Sequence, residues 1–459
     1  MIKFGPGNLR VPKWTRPVYM VSAGMTDFRK KYPEKKLEEL VLEAVKMCVE
    51  DPKLKKSAQE VRDMINFACY GEFADHFQDQ LLCEAKVHDY LGLDPLFNVG
   101  IKTGGATGGS AILMGSSIVA SGQANCCLVA GWERMDEVDT WTGNFYISTA
   151  ACKDFETRLA RIYASYYAPM ARRFQQVYNL DEKVRAAVAV KNRGYACSSP
   201  FAQQPGKHTI EEVLEGPVVC DPLRMLECCA MSVGSAAVIL CDEETAFKLS
   251  DNPVKVYIAG GSHTLRVSDR RDMEIPLLPN EDEHTYEKLY KDIKSSDGRW
   301  PGFESFLAAR FAAYLTYQMA GIENPIEELD LVELHDAFTI SDIQTYGDIG
   351  LTRYGEEPSY ITSGDAYYGG KCPANLSGGL IGTMHAVGAT GIFSAIEVMW
   401  QLQNRYDEFH GADEMWKKFG KTKPTDWKSL QVENAKKGLW VSHAGVGSHV
   451  TVGVLEKGW

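Results

Sequence analysis

No apolar run in this chain approaches the ~20 residues that cross a bilayer. It has no Cys-x-x-Cys pair and no histidine–cysteine spacing of a metal site. Positive charge is in the minority, with 49 Lys+Arg against 61 Asp+Glu and a net charge of −12. That balance argues against nucleic acid or an anionic membrane as partner. It leaves open an anionic small molecule held by local backbone dipoles. Residues Met1–Arg16 hold neither an apolar stretch nor a cleavage signal, so the expected location is cytoplasmic. The twelve cysteines fit a reducing compartment. The vicinal pairs Cys126-Cys127 and Cys228-Cys229 lie in apolar runs and read as buried thiols. No GxGxxG is present: the glycines at 104–109 have the wrong spacing, and no acidic residue follows at a strand end, which disfavours dinucleotide binding.

What is present is the patterning of an ordinary globular α/β chain, 45% hydrophobic and 24% charged, long enough for two or three domain-sized units. Strands are expected at Pro17–Ala23, Met64–Cys69, Leu96–Val99 and Cys126–Trp132. Helices are expected at Leu37–Val49, Gln78–Leu91 and Gly108–Ser121. This alternation implies a mostly parallel sheet covered on both faces. From about 133 to 230 the chain is rich in Tyr, Arg, Trp and Pro. It reads as an inserted cap, with helices at Tyr167–Tyr178 and Asp181–Tyr195. Strands resume at Ser235–Cys241 and Val254–Gly260. The second half repeats the theme, with helices at Gly302–Ala320, Asp336–Gly347 and Gly388–Leu402. It has a strand at Leu329–Leu334 and two more around a glycine turn in Gly438–Val454. Arg405–Glu433 is polar, Lys-rich and expected to be a surface insertion.

Two segments carry the chemistry. Residues 375–391 read Asn-Leu-Ser-Gly-Gly-Leu-Ile-Gly-Thr-Met-His-Ala-Val-Gly-Ala-Thr-Gly, and 333–338 read Glu-Leu-His-Asp-Ala-Phe. Each sets one histidine, His385 or His335, among small residues. A helix starting at 386–391 would aim free N–H groups toward His385 and suit an oxyanion or enolate. A neutral imidazole is expected at both positions. The segment Gly104-Gly-Ala-Thr-Gly-Gly-Ser-Ala-Ile also echoes Val387-Gly-Ala-Thr-Gly-Ile-Phe-Ser-Ala-Ile, a weak internal repeat.

These segments, with Ala124–Met135, Met170-Ala-Arg-Arg-Phe and Leu226-Glu-Cys-Cys, occur in an order that resembles the thiolase superfamily. The nearest likeness is to its sterol-carrier-protein-X and archaeal-type branches, over roughly 17–404 and 438–456. The resemblance implies two similar halves, 1–275 and 276–459, forming a five-layer αβαβα sandwich with an inserted loop domain. It implies a homodimer acting on acyl-CoA, with coenzyme A as substrate and no bound cofactor. By the same resemblance His335 and His385 are catalytic. Gly105 and Gly447 offer oxyanion-hole N–H groups, and Ser377 and Gly378 lie in a substrate- and CoA-binding loop. His443 falls beside the second oxyanion hole. His449 reads as a packed, satisfied histidine.

The chain departs from the family at its sulfurs. The nucleophile position falls on Gly105, the Cys-x-Gly turn reads Gly445-Val446-Gly447, and the alternative acid/base position is Ala337. Cys372 and Cys83 are the candidate substitute thiols. Three readings stay open: β-ketoacyl-CoA thiolysis with unusual acyl transfer, retro-aldol cleavage of a β-hydroxyacyl-CoA, and a degenerate non-catalytic subunit. The branch includes two-component enzymes that pair such a chain with a zinc-ribbon/OB-fold subunit. Benzoylsuccinyl-CoA thiolase is one, so an aryl-ketoacyl-CoA is an expected substrate. Superfamily aldolases carry tyrosines where this chain keeps histidines. Trp141, Tyr146 and Tyr166–Tyr167 are the expected pocket residues of the cap.

Overall fold

A computed structural model describes residues 10–153, 157, 160–262, 276–281 and 303–458. The boundary between 275 and 276 falls at a margin of these residues. The expected helix start at Gly302 lies outside them, and the helix is seen from Leu307 to Ala320.

Among the described residues eleven strands are present: β1 Val18–Met25, β2 Phe67–Glu72, β3 Asn98–Ile101, β4 Cys126–Arg134, β5 Val218–Cys220, β6 Leu223–Arg224, β7 Val233–Asp242, β8 Val254–Ser262, β9 Leu331–Glu333, β10 Lys437–Ala444 and β11 His449–Lys457. Nine form one continuous sheet in the order β3-β2-β4-β7-β1-β8-β11-β10-β9. The internal repeat becomes a pseudo-symmetry of pairing. In the first half β2 runs parallel to β3 and β4, while β7 is antiparallel to both β4 and β1. In the second, β9 is parallel to β10, β11 is antiparallel to β10 and β8, and a parallel bridge at Val332–Ala374 stands where β3 stands in the first. The halves meet at β1 and β8, where Tyr19 pairs with Lys255 and Met20 with Val254.

Five layers follow from which helix covers which strands. Helix Leu37–Val49 packs on β1 and β7, and helix Leu307–Ala320 on β8 and β11. Helices Thr107–Ala120 and Thr390–Leu402 pack on each other between the two half-sheets. Thr390–Leu402 is buried along its whole length and Thr107–Ala120 over most of it, so their sequences are largely apolar rather than amphipathic. Each opens on a 3-10 turn, Gly104–Ala106 or Val387–Ala389, which is the echo seen in the sequence.

The strand at 64–69 sits three residues later than its apolar pattern indicates. A Ser57/Glu60 capping box starts a helix at Ala58–Met64, and that helix consumes the first apolar residues. The larger correction concerns Arg405–Glu433. Its helices Tyr406–His410 and Asp413–Lys418 bury Tyr406, Phe409 and Trp416 against the central layer. Phe409 stacks on Trp400 at 3.8 Å, and buried His410 hydrogen-bonds Glu397 at 3.0 Å. Lys417, Lys418 and Lys428 face out, while Lys421 and Lys423 donate to backbone carbonyls and the aromatic side chains between them anchor the strap.

Candidate active site

Loop 375–383 is tied to the end of β9 at three points. Ser377 donates to Glu333 at 2.6 Å, Leu334 N–H donates to Asn375 Oδ1 at 2.6 Å, and Leu380 N–H donates to Asp336 at 2.6 Å. Asn192 adds a 2.7 Å bond to Asp336. Burial raises Glu333 to about 8, with Glu397 adding to it, and raises Asp336 to about 8, with Asp342 adding to it. Ser377 is buried, and it and Gly378 are held within this scaffold. Gly378 has φ of +93°, and a Cβ there would lie 2.6 Å from Ala196 Cβ, so only glycine fits against helix Glu182–Ala196.

These ties bring the histidine segments together. The His335 and His385 rings are 5.2 Å apart and nearly perpendicular. A third imidazole, His443 at the end of β10, lies 4.2 Å from His335. Its Nε2 shares a 2.8 Å hydrogen bond with the Tyr167 hydroxyl. All three rings are buried. Burial lowers His385 to about 4, and burial followed by the nearby His385 lowers His443 to about 3. His335 is pushed well down by burial and then by its two imidazole neighbours. These shifts keep all three neutral at pH 7, the state expected from the sequence for His335 and His385.

Hydrogen bonding assigns the His385 tautomer. The Thr390 hydroxyl donates to Ala386 O at 3.2 Å, so its oxygen accepts from His385 Nδ1–H at 3.1 Å. That leaves Nε2 with a lone pair, the arrangement of a base. The N–H groups of this turn are already used. His385 N–H donates to Ser232 Oγ at 2.8 Å, Gly388 N–H to Glu133 at 3.0 Å, and Ala389 N–H to Ala386 O at 2.8 Å. Within 386–391 the expected free N–H groups are therefore fewer, since Gly388 and Ala389 are taken and Thr390 N–H donates to Val387 O.

Gly105 lies under His335. A Cβ built on it would sit 3.4 Å from His335 Nε2 but only 2.3 Å from the main-chain oxygen of His443. The backbone thus occupies the space a nucleophilic side chain would need. Gly447 closes the β10–β11 turn against Phe306, whose ring is 4.7 Å from His443. In that turn Val446 holds φ of +55°, a strained value for a β-branched residue.

The candidate thiols are elsewhere. Cys372 is in the outer core of the second half, and Cys83 is in that of the first. Neither lines the cavity at His385. Burial, then Asp330, raises the Cys372 thiol, and burial, then Glu72, raises Cys83 to about 12. Both are held as inert thiols. The cavity instead presents Cys228 and Cys229, whose flanking loop lacks helical or strand period and gave no sign of exposure. Burial, then Glu227, raises Cys228 to about 12. Trp141 is exposed and Tyr166 and Tyr167 are buried away from the cavity, whereas Tyr163, Ile147 and Asn144 reach it. His449 shares a 3.3 Å hydrogen bond with Ser110, as expected of a packed histidine. No metal-binding cluster occurs among the described residues.

A doubled α/β half with its central helices opening beside a buried imidazole cluster defines the class: a thiolase-fold enzyme. Comparisons give the family. The thiolase N-terminal domain matches residues 18–244, and the thiolase C-terminal domain-like family matches 295–414. The chain is 35% identical to an acetyl-CoA acetyltransferase of Methanothermobacter thermautotrophicus over 319 residues, 69% of this chain and 74% of that one. It is 29% identical to benzoylsuccinyl-CoA thiolase subunit BbsB of Thauera aromatica over 311 residues, 68% of this chain and 71% of that one. The fold matches the Ltp2-ChsH2(DUF35) aldolase with a TM-score of 0.71 at 18% identity, covering 96% of this chain and 98% of that one. The chain belongs to the thiolase family and is an acyltransferase of that superfamily.

Proposed function

We propose that this chain cleaves a carbon–carbon bond of a β-ketoacyl-CoA with coenzyme A as acyl acceptor, without an acyl-cysteine. The observation that carries this reading is the space beside His335, where a glycine and a main-chain oxygen stand in place of a nucleophile. His385 Nε2 takes the proton of the coenzyme A thiol, and the thiolate attacks the β-carbonyl carbon. The resulting alkoxide collapses, the Cα–Cβ bond breaks, and the electron pair enters the thioester enolate. The imidazolium of His385 then returns the proton to the α-carbon, giving two thioesters. His335 with the Gly105 and Gly447 N–H groups holds the developing negative charge. An aryl acyl group suits the sulfur- and ring-lined cavity of about 310 Å³ beside His385.

Retro-aldol cleavage of a β-hydroxyacyl-CoA is the second reading, favoured by the same crowding at Gly105. There His385 takes the hydroxyl proton, the same bond breaks, an aldehyde or ketone leaves, and the imidazolium returns the proton to the α-carbon of the enolate, giving one acyl-CoA without a second coenzyme A. Product analysis separates the two. Thiolysis consumes one free coenzyme A per bond cleaved and yields two thioesters. Release of a carbonyl compound with coenzyme A unconsumed would replace the first reading by the second.

The relative named as a thiolase subunit, and the fold neighbour that pairs Ltp2 with ChsH2, support a zinc-ribbon/OB-fold partner for this chain. A homodimer is supported by β3, an edge strand of the sheet among the described residues, and by the exposed Phe97, Leu81 and Leu82. Light scattering of the isolated chain should give twice 51.0 kDa, and Phe97→Asp should give the monomer mass. An unchanged mass for Phe97→Asp would remove that edge from the interface.

A further inference from the structure

The geometry points to an acyl cavity that admits uncharged acyl groups and rejects one bearing a carboxylate. This rests on the acyl-CoA reading above and narrows it. Among the described residues, every side chain lining the cavity is neutral, and five of them, Met135, Met225, Met231, Cys228 and Cys229, carry sulfur. The polar groups are few and fixed. Arg193, behind the wall, spends its donors on Leu226 O at 3.0 Å, Cys228 O at 3.1 Å, and Gln204 O and Oε1 at 3.3 and 3.1 Å. No carboxylate pairs with it among the described residues, and Arg193 itself does not line the cavity.

The Arg193 bond also orients Gln204. With Oε1 taken, the amide NH₂ of this cavity-lining side chain is left as a donor. Asn144 is oriented the opposite way. Its Nδ2 donates to Thr140 O at 2.9 Å, so Oδ1 is left as an acceptor. One donor, one acceptor and the His385 base can serve a neutral acyl group carrying a carbonyl or hydroxyl. A carboxylate would shed its water, meet the Asn144 oxygen, and find no cation among the described lining residues. Among the described residues, Arg161, beside the lining residue Ile162, stands exposed over the Phe145 ring, and Arg224, beside the lining residue Met225, donates to Gly216 O at 3.0 Å. The free carboxylate of a benzoylsuccinyl group therefore has no charged partner among the described lining residues.

The test uses two unreactive thioesters, 3-phenylpropanoyl-CoA and its 2-carboxymethyl derivative, titrated calorimetrically into the whole chain. The neutral probe should bind about 100-fold tighter or better, the scale set by an unpaired carboxylate. Met225 lines the cavity yet is 54% exposed, so Met225→Arg should fold. It should narrow the gap at least about tenfold through the carboxylated probe alone. Equal or tighter binding of the carboxylated probe to the wild type overturns the proposal, as does a gap that Met225→Arg leaves unchanged. Neither probe has a β-oxygen to react, so the outcome is independent of whether thiolysis or aldol cleavage is correct.

Discussion

His385→Ala is expected to lower kcat/KM for carbon–carbon cleavage by about 10³-fold, the range a positioned acid–base group supplies. His385 is the one imidazole of the cluster that lines the cavity, and its Nε2 lone pair is set by the Thr390 bond. Because burial holds it at about 4, the wild-type rate should be flat between pH 6 and 8, with no histidine titration in that window. The same shift has a stability consequence. The folded protein leaves His385 unprotonated below pH 6.5, while the unfolded chain takes up the proton there. The unfolded state thus binds more protons between pH 6.5 and about 4, and stability falls as pH falls through that range. His385→Ala removes this contribution, so its melting temperature should drop less than the wild type's between pH 7 and 5. Full activity in the variant would remove His385 from the chemistry.

Gly105→Cys carries the second large effect. Restoring the family nucleophile by substitution alone should fail. The new Cβ meets the His443 main-chain oxygen at 2.3 Å, and that oxygen belongs to β10, held along its length by β11. The clash is with backbone, not with a flexible side chain, so a shift of the strand end is required. A loss of about 1–3 kcal/mol is expected, as for other overpacked sites, read as a lower denaturation midpoint at unchanged slope. No acyl-cysteine should form at 105. A variant of wild-type stability that becomes acylated by substrate would show that the glycine merely lacks a thiol.

The sequence made the histidines legible because each is surrounded by small residues in a recognisable order. The third imidazole was harder to read. His443 is one strand residue among apolar neighbours, and its meeting with His335 depends on β9 and β10 pairing across more than a hundred residues. The Ser377–Gly378 loop was legible as special, but its role was not. Glycines at a left-handed turn look the same whether they approach a ligand or, as here, the Ala196 backbone. Aromatic anchors in the 405–433 strap were hidden by lysines around them, since composition averages over residues while burial selects single side chains. The substitute thiols failed for a related reason. Cys372 and Cys83 sit near glycines or on a helix in the sequence, but folding directs both into dry cores.

The most direct measurement is a trapping experiment in which the chain is mixed with a β-ketoacyl-CoA labelled in its acyl group, coenzyme A is withheld, and the denatured protein is analysed by mass. The expected result is no covalent label and no cleavage until coenzyme A is added. A stoichiometric thioester on any of the twelve cysteines, formed before coenzyme A is present, would contradict it.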